Sequence, residues 1–293
     1  MSLDANTLGA AVGSWILSYL LHATVLLSGA ALAAILVRAR PELEEAIWKL
    51  ALVGGLVTAA LQPAVAGWTT VPPVVEEPAV VVGVPLSLER GATALGAAAP
   101  ESSWIARTLA PTAGWRWWLA AGWAAAAALL LARLLTASLT LRRRLAGRRA
   151  ISGPLARLVD RLLEAAGHSR LVRLSRTDAI PVPIALGGEI CLPERVLSEL
   201  PPSEQETVVA HEMAHVLRRD PAWLLAGRIL TAVFFFHPLV LLAGRRLRRV
   251  AELRCDDWAA TATGRPLALA RCLTRVAGWG GGAVPATAMA GDP

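Results

Sequence analysis

The sequence predicts a membrane protein, mainly helical, in which three transmembrane helices precede a cytoplasmic α+β domain. Three observations carry this. Of the 293 residues 55% are hydrophobic and 17% charged, and the mean hydropathy of +0.51 exceeds that of ordinary soluble domains. Three apolar stretches are long enough to cross about 30 Å of hydrocarbon at about 1.5 Å per helical residue. Finally, 28 of the 29 basic residues are arginine, clustered beside apolar runs, as at Arg142, Arg143, Arg144, Arg148 and Arg149 and again at Arg245, Arg246, Arg248 and Arg249. A net charge of +7 placed this way speaks for bilayer orientation rather than nucleic-acid binding.

Composition closes other classes. Gly 24 and Pro 19 are ordinary, and no Gly-x-y or heptad period recurs, so collagen and coiled coil fall away. Cys191, Cys255 and Cys272 are odd in number and lack a C-x-x-C pair, which fits neither a disulfide framework nor a cysteine zinc site. A reducing compartment suits them.

The membrane domain, residues 1–141, holds spans near 8–37, 47–68 and 115–139. The first is too long and lacks the basic leader of a cleaved signal peptide. No basic residue precedes 38; Arg38, Arg40 and Lys49 lie in the first connection, Arg90 and Arg107 in the second, and the arginine cluster follows 141. The positive-inside rule then puts the N-terminus outside, the 69–114 loop outside, and everything past 140 in the cytoplasm of a bacterial inner membrane. Residues 142–279 form the cytoplasmic domain and 280–293 a flexible tail. In the domain come a basic helix at 155–166, a strand at 171–177 and the segment IALGGEICLP at 184–193, turning at Gly187 and Gly188. Ser203 as N-cap and Glu206 three residues on form a capping box that starts a helix over 203–219.

That helix contains His211-Glu212-Met213-Ala214-His215. Four residues advance a helix by about 400°, so the two imidazoles share one face about 6 Å apart, able to close on one divalent ion, with Glu212 about 100° round beside the open coordination position. A catalytic zinc needs a third protein ligand, for which Glu252 is the choice. Asp256, one turn on, is suited to orient a histidine ligand. The other reading of both is neutralisation of the arginines at 245–254.

The run 221–244 decides between them. Crossed once, it would hold His215 and Glu252 about 30 Å apart, too far for one ion. Pro238 breaks it into limbs of about 22 Å, and a helical hairpin dipping into the membrane surface returns Glu252 to the level of His215.

With these residues in place, the stretch from about 171 to 263 resembles the membrane-bound gluzincin metallopeptidases of the BlaR/MecR type. The carrying motifs are Pro183 through Gly188, CLPERVL, HEMAHVLRRDP, FFFHPLV, and Glu252 with Cys255-Asp256. The resemblance implies one Zn²⁺ per chain on His211, His215 and Glu252, Glu212 as catalytic carboxylate, and regulated cleavage of a cytoplasmic repressor or of the peptidase itself. Members that sense β-lactams carry a penicillin-binding domain with an S-x-x-K nucleophile. Here 41 residues follow Glu252, and the one lysine, Lys49, has Ala46 three before it, which leaves a different stimulus, sensing in a partner or a truncated chain as the alternatives.

Gly187, Gly188, Glu189 and Ile190 are candidates for binding an extended substrate at an exposed strand edge, with an internal strand as the equal alternative. His22 is expected to bond a neighbouring helix, His237 to sit at the hairpin tip, His168 in a surface loop, and Asp220 to pair with Arg218, Arg219 or backbone. Most of the tryptophans, Trp115, Trp117 and Trp118 among them, read as interface anchors. The expected partners are a protein substrate and the lipid bilayer, without direct nucleic-acid contact; a homo-oligomer is allowed. Two other functions fit the motifs: a housekeeping membrane protease of the prenyl-protein or quality-control type, and a non-catalytic transducer with a structural zinc.

Overall fold

The computed structural model describes residues 5–68, 114–169 and 171–279. Helices α1 (Ala5–Leu36) and α2 (Pro41–Trp68) form an antiparallel hairpin turned at Val37 to Arg40, and α3 (Gly114–Arg144) follows. A Cβ on Gly55 would meet the Ala23 backbone at 3.3 Å, so α1 and α2 touch where only small residues allow it. Among the described residues two helices are long and apolar enough to cross a membrane, Val12–Leu36 and Trp117–Gly147. The expected 47–68 span forms the later part of α2, which begins at Pro41 because Glu42 and Glu44 in its first turn suit a helix N-terminus. The 69–114 loop, except Gly114, and the 280–293 tail lie outside the described residues.

Next come β1 (Arg149–Ala150), α4 (Pro154–Ala165), β2 (Arg173–Thr177), β3 (Ile184–Leu186), β4 (Glu189–Pro193), α5 (Glu194–Glu199) and α6 (Pro202–Arg218). The sheet runs β1-β2-β4-β3, parallel between β2 and β4 and antiparallel elsewhere. Gly187 takes φ 59° in the β3–β4 turn, a left-handed conformation that glycine adopts without steric cost. Helix α6 starts one residue earlier than the capping-box reading: Pro201 is the N-cap, Pro202 opens the helix, and no side-chain cap forms. The φ of Pro202 is preset for a first helical position, which leaves Ser203 inside the turn.

Helices α7 (Asp220–Val233), α8 (Pro238–Thr263) and α9 (Pro266–Trp279) complete the chain. The break expected at Pro238 forms there, with His237 donating its backbone N–H to Phe234 at 2.9 Å. The hairpin reaches along α1 past its midpoint. Phe234 stacks on Tyr19 with centroids 3.7 Å apart, and Tyr19 lies in the half of Val12–Leu36 away from the α1–α2 turn. The cause is burial. Phe234, Val240, Ala243 and Leu247 join Tyr19, Ala23, Leu27 and Trp48 in one apolar cluster, removing surface from solvent on both limbs. Trp123 of α3 donates its indole N–H to Val233 at 2.8 Å, satisfying a carbonyl that the end of α7 leaves without a helical partner.

Trp48 is buried in this cluster, and the Trp223 ring lies under Lys49, 4.6 Å from the ammonium. Trp117 and Trp118 are exposed, while the side chain of Trp115 is outside the description. His22 bonds Ser18 of its own helix rather than a neighbour. His237 is buried, within 3.3 Å of Thr24, and His168 is exposed. A second core joins α4, β2, β4 and α6 with Ala259 of α8 and Leu269 and Cys272 of α9. Helix α8 therefore threads both cores, and its middle is where the site forms.

Candidate metal centre

Residues Thr207 to Val216 of α6 are all buried, unlike the one-sided burial of a surface helix. The helix is held between the sheet side and α8, which fixes both imidazoles before any ion arrives. The His211 and His215 ring centroids are 4.9 Å apart with planes 78° to one another. Both turn Nε2 to the same oxygen of α8: Glu252 Oε2 lies 3.5 Å from His211 and 3.8 Å from His215. Ligand atoms around a tetrahedral zinc at about 2.05 Å lie about 3.3 Å apart, so the two Glu252 contacts are close to those an ion would impose, and all three ligand atoms lie within 4.8 Å of one another. The donor chemistry, two imidazoles and a carboxylate, fits a divalent ion of the zinc type. The Glu252 side chain is 51% exposed while the histidines are buried, so the centre opens on the Glu252 side.

Each imidazole has its Nδ1 facing a carboxylate, the arrangement that sets tautomer and orientation at metal sites. Asp256 Oδ1 lies 2.9 Å from His211 Nδ1, at ion-pair distance though not aligned as a hydrogen bond. Asp220 does the same for His215, at 3.0 Å. The sequence reading gave Asp220 only the arginine role. It holds both, because Arg218 Nε also donates to its Oδ2 at 3.1 Å. Arg219 makes the double role geometric: at φ 59° it ends α6 and starts α7, a left-handed turn that swings Asp220 back beside His215 at a cost of about 1 kcal/mol. Cys255 is a further neighbour that the reading passed over, its Sγ 3.3 Å from His215 Nδ1 and 3.4 Å from Asp220 Oδ2. An Asp-Pro pair five residues past the second histidine, and a Cys three past the glutamate, were the available signals.

Charge follows this layout. Burial would push His211 toward neutrality, but Asp256, Glu252 and Glu212 outweigh it and hold its pKa at about 9. His215 is raised in the same way, burial being overcome by Asp220, Cys255 and Glu252. Glu252 is held well below the usual carboxylate range, its partial burial outweighed by the two histidines. Glu212 goes the other way: buried, it is pushed up, moderated by the histidines and by the Ala185 backbone. That last contact brings the free edge of β3 against the centre.

The substrate candidates separate. Gly187 and Gly188 form the β3–β4 turn, whereas Glu189 and Ile190 belong to β4, which is paired on both sides by β2 and β3 and has no free edge. Ile190 is fully buried, and Glu189 is held by Arg148 and Ser175. The sheet ends in β1 on one side and β3 on the other, and β3, Ile184 to Leu186, is the edge strand that meets Glu212.

Comparison with known proteins gives the family of the chain. The family described as BlaR1 peptidase M56 matches residues 20–265, and the chain belongs to that family. Protease HtpX homolog 1 of Streptomyces coelicolor (strain ATCC BAA-471 / A3(2) / M145) is 30% identical over 159 residues, covering 41% of this chain and 52% of that protein. The chain thus spans about half the length of the curated relative it matches.

Proposed function

We propose that this member of the M56 peptidase family is an integral-membrane zinc endopeptidase, with three spans, that cleaves a cytoplasmic protein in regulated signalling. The substrate is a transcriptional repressor or the peptidase itself. The observation that carries the proposal is the convergence on one point of His211 and His215 from one helix and Glu252 from another, 37 residues past His215 in sequence, with Glu212 beside it. The arginines after α3 and at the foot of the hairpin, by the positive-inside rule, put this centre in the cytoplasm.

His211 and His215 through Nε2 and Glu252 through Oε2 would hold the ion. Zinc supplies Lewis acidity there, making water a nucleophile near neutral pH and polarising the scissile carbonyl. Glu212 takes the proton of the attacking water on its carboxylate and delivers it to the departing amine nitrogen. Burial pushes its pKa up, which makes the carboxylate a better proton acceptor. Asp256 and Asp220 keep the two imidazoles turned with Nε2 inward. An extended substrate adding along Ile184–Leu186 would align its backbone on the free edge of β3 while Glu212 holds Ala185.

The test is Glu212→Gln in the full chain, with His215→Ala and Glu252→Ala alongside. Removing the base should lower cleavage by about 10²- to 10⁴-fold with zinc content unchanged, while the ligand variants lose the metal. Signalling unchanged in Glu212→Gln would favour a transducer with structural zinc. Full zinc in both ligand variants would remove the assignment.

A further inference from the structure

We infer that Glu45, at the foot of α2, is a positioning residue for the metal centre, acting through Arg218 and Asp220 on His215 and through Arg254 on the helix carrying Glu252. The inference rests on the metal reading above and adds to it a mechanical link from the α1–α2 hairpin.

Glu45 is 5% exposed, rare for a carboxylate unless it is paired. Its Oε2 accepts from Arg218 Nη2 at 2.7 Å and from Arg254 Nη1 at 2.6 Å, and its Oε1 from Lys49. Arg218 is the last residue of α6, three past His215, and Arg254 lies two past Glu252 on α8. One carboxylate oxygen of α2 therefore ties the end of α6 to the middle of α8, the two helices that supply the metal ligands. Arg218 is the hinge of the link. Its Nε and Nη2 donate to Asp220 Oδ2 and Oδ1 at 3.1 and 3.3 Å, and the same Nη2 reaches Glu45. A planar guanidinium gripped by two carboxylates has its plane set by both. The Asp220 oxygen that receives Arg218 is the one facing His215 Nδ1. A shift of α2 would reach His215 through these groups.

Bulk burial does not explain this arrangement. A carboxylate whose only task was to neutralise charge would pair with one arginine at the surface, where such pairs contribute little. Here three cations meet on one buried group, and two of them stand next to ligand-bearing turns. Within the cluster Glu45 and Asp220 supply two negative charges against three positive ones from Lys49, Arg218 and Arg254. Removing Glu45 would leave Arg254 without this acceptor and give Arg218 wholly to Asp220, changing how much Asp220 offers His215.

The experiment uses the full chain in detergent micelles, with zinc affinity from competition against a chromophoric chelator and the visible spectrum of the Co²⁺-loaded protein. Glu45→Gln keeps the shape and removes the charge. It should weaken zinc by about tenfold, the low end for partners of metal ligands, and move the Co²⁺ bands, with Glu45→Asp restoring part of both. Glu206→Gln, which breaks the Arg265 pair on the same α6, should move neither. Wild-type affinity and spectrum in Glu45→Gln would overturn the inference, as would equal shifts in Glu206→Gln. If Glu45→Gln does not fold, Arg254→Gln cuts the α8 arm alone: a smaller shift of the same kind supports the inference, and wild-type values overturn it. A wild type that holds no zinc sinks the metal reading and this inference with it, whereas zinc-replete wild type and Glu45→Gln behaving alike sink the inference alone.

Discussion

The two ends of the α7–α8 hairpin are held by opposite means. At the tip, Phe234 stacks on Tyr19 and packs near Trp15, and Val240 and Ala243 fill the space between α1 and α2. At the foot, Arg218, Asp220, His215, Arg254 and Glu45 meet through directed bonds of 2.6 to 3.3 Å. Apolar packing removes area from solvent in any orientation that fills the volume, so it fixes depth well and angle poorly. A metal centre needs its ligands placed to a fraction of an ångström, and charge-assisted hydrogen bonds supply that direction at the expense of desolvation. One hairpin thus uses burial to set how far it reaches and buried charge to set how it points.

If the division is real, the ends should fail separately. Phe234→Ala removes a fully buried ring at the tip and should cost about 3 kcal/mol of unfolding free energy, measured by denaturant titration in micelles, with zinc affinity within about twofold of wild type. A parallel fall in affinity would show that tip packing also positions the ligands, and the contrast would break. Asp220→Asn works at the foot. It should weaken zinc about 10- to 100-fold while moving the unfolding midpoint less than Phe234→Ala does; unchanged affinity would reduce Asp220 to the arginine partner the sequence suggested.

The smallest effect sharpens the comparison through pH. Burial works against the charge of Glu45, but hydrogen bonds from Lys49, Arg218 and Arg254 outweigh it and hold its carboxyl below the ordinary 4.5. A depressed folded value stabilises the protein fully above the unfolded value and loses that contribution as pH falls through the folded one. The melting temperature should therefore drop on acidification, and Glu45→Gln, lacking the group, should show a flatter acid limb below the ordinary carboxylate value. Identical limbs would mean the cluster adds no net stability at the foot.

The comparison also separates what could be read from residues alone. The H-E-x-x-H spacing was enough to put His211 and His215 on one face, because helical periodicity is local. Glu252 needed a longer argument, yet Pro238 and the length of the apolar run already implied the return. The depth of the hairpin was not legible, since nothing in 221–244 states which helix its apolar faces will meet. Nor was the double role of Asp220, which depends on the left-handed turn at Arg219, or the exclusion of Glu189 and Ile190 from substrate, which depends on strand order. Ser203 carried a valid capping signal that a neighbouring proline overrode.

By itself, then, the sequence determined the apolar helices, the hairpin break and the side chains that converge at the candidate centre. Each follows from periodicity, proline chemistry or side-chain donors acting over a few residues. Only the tertiary structure decided which carboxylate faces which imidazole, that β3 is the edge strand beside Glu212, and that Glu45 sits beneath the centre. Those relations join residues as much as 209 positions apart, and they exist only once the helices have packed and water has left the charges with no partner but one another.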